Sequence, residues 1–419
     1  MTTDPITSIV EKNLCTGCGA CAIGKDMLIR MVDDPEHGRR PVVSQTPQGL
    51  RASQEAQKRC AGVSTDWGAL EIADNIDQAW GPVRAVWQGY AQDDEIRHRG
   101  SSGGVVTALA FHAMTSGIAS GVAHIVARKD DPRLNETVIS KDRAGLLRGA
   151  GSRYAQASPA EVLDQISEDD EAIVFIGKPC DVASVYKATE HNQELAARIP
   201  LTIAIFCAGA PNLAATDSLL DRLSVPKDGK LTDLRYRGNG WPGLMQAWWD
   251  SSRGDQHVSE GISYAEGWGA ILQASRRWRC RICADHTGAF ADISVGDPWH
   301  TPPNGNTDAG QSLIIARTAR GQRFIEDAIN KGHVVAQPAG RDVIARAQPN
   351  LLTTNSAVWG RRTAMRMVGL DTPKDKGQKL FSFWMSLPAK QKFQSFLGTW
   401  KRVIRERLWR GVRISERLR

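Results

Sequence analysis

The sequence predicts an α/β protein: a mostly parallel mixed sheet with flanking helices, a small cysteine-rich segment before it and a helical tail after it. Three observations carry that expectation. Two continuous apolar runs, Ala172–Ile176 and Leu201–Phe206, have the length of buried parallel strands, and the amphipathic stretch Asp181–Arg198 between them supplies a crossover helix. Four of the eight cysteines stand in the first 60 residues, three of them within seven positions. The net charge of +7 is concentrated at the end, where residues 374–419 carry thirteen Lys/Arg against three Asp/Glu, a net of +10 that leaves −3 for residues 1–373. At 419 residues the chain exceeds what one core usually holds, and the expected division is 1–80, 81–345 and 346–419.

The N-terminal residues Met1 to Asn13 lack a positive region followed by an apolar core, so no secretory signal is read and a cytoplasmic protein is expected. That compartment argues against disulfides. Cys15-Thr16-Gly17-Cys18-Gly19-Ala20-Cys21 is a C-x-x-C-x-x-C loop. Such spacing wraps one 4Fe–4S cube, with three thiolates on three irons and the glycines keeping the backbone close. Structural zinc is the competing reading, but it usually takes two C-x-x-C knuckles, and only Cys280-Arg281-Ile282-Cys283 is an isolated one. The fourth iron needs a distant thiolate, and Cys60 is the remaining cysteine in the N-terminal third. This makes the first segment ferredoxin-like.

The stretch Gly100–Ala127 has no Asp, Glu, Lys or Arg. It holds His112, His124, two Ser-Gly pairs and Gly117, which suits a buried helix followed by a strand rather than a membrane span. It opens with Gly100-Ser101-Ser102-Gly103-Gly104, a turn whose N–H groups and hydroxyls could receive an anion at a helix N-terminus, or serve only as a capped loop. Gly149-Ala150-Gly151-Ser152-Arg153-Tyr154, Arg235–Gly243 (which includes Asn239) and Ser294–Trp299 (which includes Asp297) are further glycine-rich clusters, each readable as a plain turn. No G-x-G-x-x-G follows a strand, so a Rossmann dinucleotide site has no support. The two apolar runs end at Cys180 and Cys207. Parallel neighbours deliver their carboxyl ends to one edge, so these cysteines should converge, with Cys280 and Cys283 closing a second set of four. Buried structural cysteines are the ordinary alternative.

Taken in order, GSSGG, GSRY, GKPC, FC, YRGNGWPG, CRIC and SVGDPW resemble the beta-subunit family of the deazaflavin-coenzyme (F420) hydrogenases and dehydrogenases, over roughly residues 80–345. The CTGCGAC segment is that family's usual upstream attachment, although Cys60 is followed by Ala61 where a proline is more usual. The resemblance extends to the two-cluster, ferredoxin-linked reductases. It implies FAD held near Ser101, Ser102, Gly103, Gly104, Gly151, Ser152, Arg153, Lys178, Asn239 and Asp297. A second cluster on Cys180, Cys207, Cys280 and Cys283 would lie beside it. Arg153 and Lys178 would stabilise negative charge on the isoalloxazine or bind the pyrophosphate.

The resulting expectation is an iron–sulfur flavoprotein oxidoreductase that joins a one-electron donor such as ferredoxin, two 4Fe–4S clusters, FAD and a small-molecule substrate. The alternatives are a deazaflavin-dependent oxidoreductase and a non-enzymatic electron-transfer subunit. Nucleic acid is not an expected partner. In the tail, Phe393, Phe396, Leu397, Trp400, Val403, Ile404 and Leu408 recur at helical spacing among Lys392, Lys401, Arg402, Arg405 and Arg410. A basic helix with a Trp-bearing apolar stripe suits the anionic inner face of a membrane, docking on the protein's own body, or an acidic groove on a partner protein.

Overall fold

The structure is a computed structural model that describes residues 3–24, 26–70, 77–190 and 192–414. Among the described residues fifteen strands follow in chain order, beginning with β1 (Ile29–Asp34), β2 (Gly38–Val43), β3 (Ala85–Ala91), β4 (Gly121–Ala127) and β5 (Asn135–Ser140). They continue with β6 (Ile173–Gly177), β7 (Thr202–Ile205), β8 (Lys230–Arg235), β9 (Trp241–Pro242) and β10 (Gln246–Asp250). The last are β11 (Gln256–Val258), β12 (Ile293–Gly296), β13 (Thr307–Asp308), β14 (Ser312–Ala316) and β15 (Val334–Ala339). Eight form one mixed sheet in the order β15-β3-β14-β12-β7-β6-β4-β5. Its centre is parallel, with β4 beside β6, β6 beside β7 and β7 beside β12. The outer pairs are antiparallel. Every residue of β14 is buried, as a strand covered on both faces requires.

The uncharged run forms a buried helix, Val105–Thr115, followed by β4. No helix among the described residues is long and apolar enough to cross a membrane. The stretch expected as a single crossover helix is two helices, Pro179–Thr189 and Gln193–Arg198. The second starts afresh because the Asn192 side chain caps it, accepting from the backbone N–H of Leu195 at 3.0 Å.

Residues from all three sequence segments pack together. Ile6, Ile9, Leu14, Ile29, Val43 and Ala56 share one apolar core with Trp278, Ile282, Met365 and Val403, so the N-terminal segment, the CRIC loop and the tail bury each other. Arg362 and Asp375 reinforce this join with a buried ion pair of 2.6 Å, and Asp375 also accepts from Thr65.

The tail stripe also divides. Helix Ala389–Arg405 turns Val403 into the core, sets Phe396 edge-on to Trp359 and Trp384, and donates from Trp400 Nε1 to the Ala364 carbonyl at 2.8 Å. Phe393 and Ile404, on the adjoining face, remain 66% and 67% exposed, with Leu397 between them. One face of the expected stripe therefore docks on the body and the other does not. Arg417 and Arg419 lie outside the described residues.

Candidate functional site

Strands β6, β7 and β12 run in parallel and end in Gly177, Ile205 and Gly296, so the next residues, Lys178, Phe206 and Asp297, emerge at one edge of the sheet. A cavity of about 250 Å³ opens there. Of the ten residues expected around a flavin, eight line it: Ser101, Ser102, Gly104, Gly151, Ser152, Arg153, Lys178 and Asp297. The Ser152 hydroxyl donates to that of Ser101 at 2.8 Å, joining two motifs 51 positions apart. Gly104, at φ +72°, begins helix Val105–Thr115, and a side chain there would meet the Ile96 carbonyl at 2.6 Å.

Gly103 and Asn239 are not in the cavity wall. Gly103 packs against the neighbouring strands instead: its N–H donates to Ser312 Oγ at 3.0 Å, and a Cβ would sit 2.8 Å from the Gly89 carbonyl. Asn239 occupies a left-handed turn (φ +56°) whose neighbour Gly240 donates its N–H to His98 O at 3.0 Å. Its loop thus braces the serine turn through backbone. Arg153 lines the cavity, yet its guanidinium donates to Asn135 Oδ1 at 2.9 Å, to Leu234 O at 2.7 Å and to Pro132 O. Those bonds hold the surrounding loops.

The charge in the cavity comes largely from two of the glycine-rich motifs, through Arg237, which was not among the expected site residues, and Asp297, which was. Arg237 is buried and donates twice to the Asp297 carboxylate, at 2.9 and 2.7 Å, while Trp241 Nε1 adds a bond to Asp297 at 2.8 Å. Burial alone would lower the Arg237 pKa, but Asp297 outweighs it and holds the group above the usual arginine range. Tyr264 and Trp299 stack with centroids 5.1 Å apart, and Tyr154 lies 4.6 Å from Trp268, giving the cavity an aromatic wall. Trp268 sits in a π-helical segment, Ala265–Ile271, an irregularity common at functional sites. Tyr154, Trp241 and Trp299 lie within the quoted motifs, whereas Tyr264 and Trp268 lacked local context in the sequence and only their convergence marks them. Lys178 is a half-hidden ammonium 2.6 Å from Asp181. Burial would lower its pKa, but Asp181 and Cys180 together raise it.

All eight cysteines are free thiols in two groups. Cys15, Cys18, Cys21 and Cys60 lie within electrostatic reach of one another, and burial first, then Cys18 and Cys15, pushes Cys60 up to about 12. Cys180, Cys207, Cys280 and Cys283 form the second group. Burial, then Cys280, pushes Cys207 up to about 12. Asp285, just after Cys283, accepts from the N–H groups of Thr287, Gly288 and Ala289 at 3.1, 2.7 and 2.9 Å, fixing that loop. His286 Nδ1 lies 2.9 Å from the Cys207 carbonyl oxygen, and burial pushes the ring down to about 4. Among the described residues no three His, Cys, Asp or Glu side chains surround a single metal ion. Thiolates of a cube each take a different iron and stand around the cluster, so each four-thiol group is chemically suited to one.

The groups are linked by helix Pro179–Thr189. Cys180 lies in its first turn, and one turn on Ser184 Oγ accepts from the Cys18 thiol at 3.3 Å and from the Ala61 N–H at 3.3 Å. From the other side, Arg279 Nε donates to the Gly62 carbonyl at 3.0 Å, tying the Cys60 loop to the CRIC loop.

An α/β sheet with a strand-end cavity beside one four-thiol group, and a second such group joined to the first by a single helix, defines a class, and comparison supplies the family. Residues 86–164 match the coenzyme F420 hydrogenase/dehydrogenase beta subunit N-terminal model, and residues 170–342 match the C-terminal one. The chain belongs to the coenzyme F420 hydrogenase/dehydrogenase beta-subunit family. It is 24% identical over 242 residues to a protein of Methanocaldococcus jannaschii, covering 56% of this chain and 60% of that one. It is also 24% identical over 262 residues to the coenzyme F420 hydrogenase subunit beta of Methanococcus voltae, covering 60% of this chain and 84% of the relative. A chain of the F420-reducing NiFe hydrogenase complex from Methanosarcina barkeri shares the fold, with a TM-score of 0.53 and 20% identity over 72% of this chain and 98% of that one.

Proposed function

We propose that the chain is an iron–sulfur flavoprotein oxidoreductase passing electrons between a one-electron donor such as ferredoxin and a small molecule. Cys15, Cys18, Cys21 and Cys60 would hold one 4Fe–4S cluster, and Cys180, Cys207, Cys280 and Cys283 the other. FAD would lie in the strand-end cavity. When bound, these groups would supply single-electron transfer at the clusters and two-electron chemistry at the flavin. The observation that carries the reading is the continuity of Cys18, Ser184, Cys180 and Lys178. One short helix reaches the first thiol group through Ser184 and the second through Cys180, and its N-cap, Lys178, lines the cavity.

The chain's own residues have definable parts in this scheme. Ser101 and Ser152 offer hydroxyls, and the turn before Val105 offers N–H groups, to a phosphate. Lys178 holds a fixed positive charge at the cavity wall, paired with Asp181. Arg237 and Asp297 are locked together, and the Arg237 guanidinium lies over the Tyr264 and Trp299 rings at 5.0 and 5.6 Å, bracing the aromatic wall.

A second reading is a deazaflavin-dependent oxidoreductase, supported by the names of the relatives, which are coenzyme F420 hydrogenase subunits. A third is an electron-transfer subunit of a larger complex, as the Methanosarcina barkeri neighbour is a chain of a hydrogenase complex. A concave cavity at the sheet edge favours the first two. The test is anaerobic purification with cofactor reconstitution, followed by mixing with reduced ferredoxin, reduced deazaflavin or NAD(P)H. Bleaching of the flavin by ferredoxin alone supports the first reading, bleaching by reduced deazaflavin selects the second, and bleaching by neither rejects both.

The exposed face of helix Ala389–Arg405, with Phe393, Leu397 and Ile404 beside Lys390, Lys401 and Arg405, supports peripheral contact with an anionic membrane.

A further inference from the structure

Beside the N-terminal thiol group lies a cleft of about 1040 Å³ whose wall includes Cys15. Eight arginines line it against two glutamates, Glu36 and Glu406. They come from separate parts of the chain: Arg40 from β2, four from residues 276–281, and Arg407, Arg410 and Arg413 from the end of the described tail. Among the described residues Arg40, Arg276, Arg277, Arg407, Arg410 and Arg413 form no ion pair. The guanidiniums instead repel: Arg40 acts on Arg277, and Arg276 and Arg402 act on Arg281.

Eight like charges with only Glu36 and Glu406 beside them in the wall cost stability, so this arrangement favours an anionic complement. The floor is rigid as well as basic: Arg40, Arg277 and Arg279 are each more than nine-tenths buried, so their charges are held in place beneath the exposed rim. Arg277 meanwhile donates to the Thr16 carbonyl, next to Cys15, so the cleft floor and the first cysteine loop are one piece.

We propose that this cleft docks an acidic one-electron carrier protein, seated with its redox centre towards Cys15. The proposal rests on the reading that Cys15, Cys18, Cys21 and Cys60 hold a cluster. A protein face is favoured over a small anion by the layout of the charge. Arg407, Arg410 and Arg413 are exposed at the rim while Arg277 and Arg279 lie on the floor, and the opening far exceeds one phosphate. Weak redox encounters are steered by such spread fields, which raise the association rate and lose it to salt. The transfer itself moves one electron from carrier to chain and breaks no bond.

The test uses the full-length, anaerobically reconstituted chain and an acidic ferredoxin as probe, with binding and stopped-flow reduction followed from low to high NaCl. The triple variant R407E/R410E/R413E should associate about tenfold or more slowly at low salt and converge with the parent at high salt. The R407K/R410K/R413K variant should retain association, which separates charge loss from misfolding. Ferredoxin binding unchanged by the glutamate triple overturns the proposal. So does one-to-one displacement of ferredoxin by micromolar pyrophosphate, which would make the cleft a small-anion site. Iron analysis of the same samples keeps the two readings apart: binding without iron on the first thiol group refutes the cysteine assignment, and iron without binding refutes the docking surface.

Discussion

The thiol of Cys18 donates to the hydroxyl of Ser184 across 3.3 Å, although the two residues stand 166 positions apart. Ser184 lies one helical turn, about 5.4 Å of rise, beyond Cys180. The two four-thiol groups are therefore neighbours across a single turn of helix.

Reconstituted protein is expected to carry about eight iron and about eight labile sulfide per chain, two cysteine-ligated cubes. Cys18→Ala should remove about half of each. Ser184→Ala should keep full loading but release iron faster to a chelator, because the Ala61 N–H loses its buried acceptor, at a cost of about 1–3 kcal/mol, and the Cys18 sulfur, a thiolate when it holds iron, loses a neighbouring hydroxyl that can donate to it. Iron and sulfide assays with a chelator time course check both, and zinc in place of iron would reject the assignment.

Gly103→Asp should abolish FAD retention. The physical cause is displacement of the serine turn, since a side chain at Gly103 would strike the Gly89 carbonyl and the Ser312 N–H at 2.8 and 2.9 Å. Gly103→Ala should then weaken FAD binding as well, with no charge introduced. Flavin absorbance per chain after desalting is the measurement, and normal stoichiometry in the aspartate variant would refute FAD at this turn.

Acid should destabilise the fold through His124. Its Nε2 lies 2.8 Å from Ser140 Oγ, and burial pushes its pKa from 6.5 down to about 4. Because the folded value is depressed, the unfolded chain binds the proton more readily between pH 6.5 and 4. Stability is thus full above about pH 6.5 and falls as pH drops, by about 2 kcal/mol between pH 7 and 5. Urea unfolding at several pH values should show a shallower decline in His124→Gln than in the parent; equal slopes would contradict this account.

The tail prediction is best tested by point substitution. Truncation after Thr372 would remove Asp375, which pairs with the buried Arg362, and would unfold the join to the N-terminal segment. Replacing Phe393, Leu397 and Ile404 with glutamine changes exposed positions only. The parent should sediment with anionic vesicles at low salt and not with neutral ones, and the variant should lose most of that binding. Failure of the parent to bind anionic vesicles at low salt ends the membrane reading.

Much of this arrangement was legible before any coordinates. The two apolar runs are neighbouring parallel strands, because continuous burial on both faces leaves a local mark in β6 and β7. Their cysteines meet because parallel strands end at a common edge. Periodicity was less informative where packing breaks a pattern: residues 181–198 divide at the Asn192 cap, and one tail stripe divides into a packed and an exposed face.

The sequence by itself determined the elements whose cause is local: the C-x-x-C-x-x-C loop, the buried strands, the uncharged helix after the glycine–serine turn, and the basic tail. Tertiary structure alone decided which distant groups meet. Arg237 and Asp297, 60 positions apart, become a buried pair at the cavity, Arg153 is drawn off to hold loops, and Ser184 reaches Cys18. Spacing along a strand or helix records backbone geometry, which acts between near neighbours. Pairing across the sheet edge is chosen by the burial of whole surfaces, and leaves no mark at any single residue.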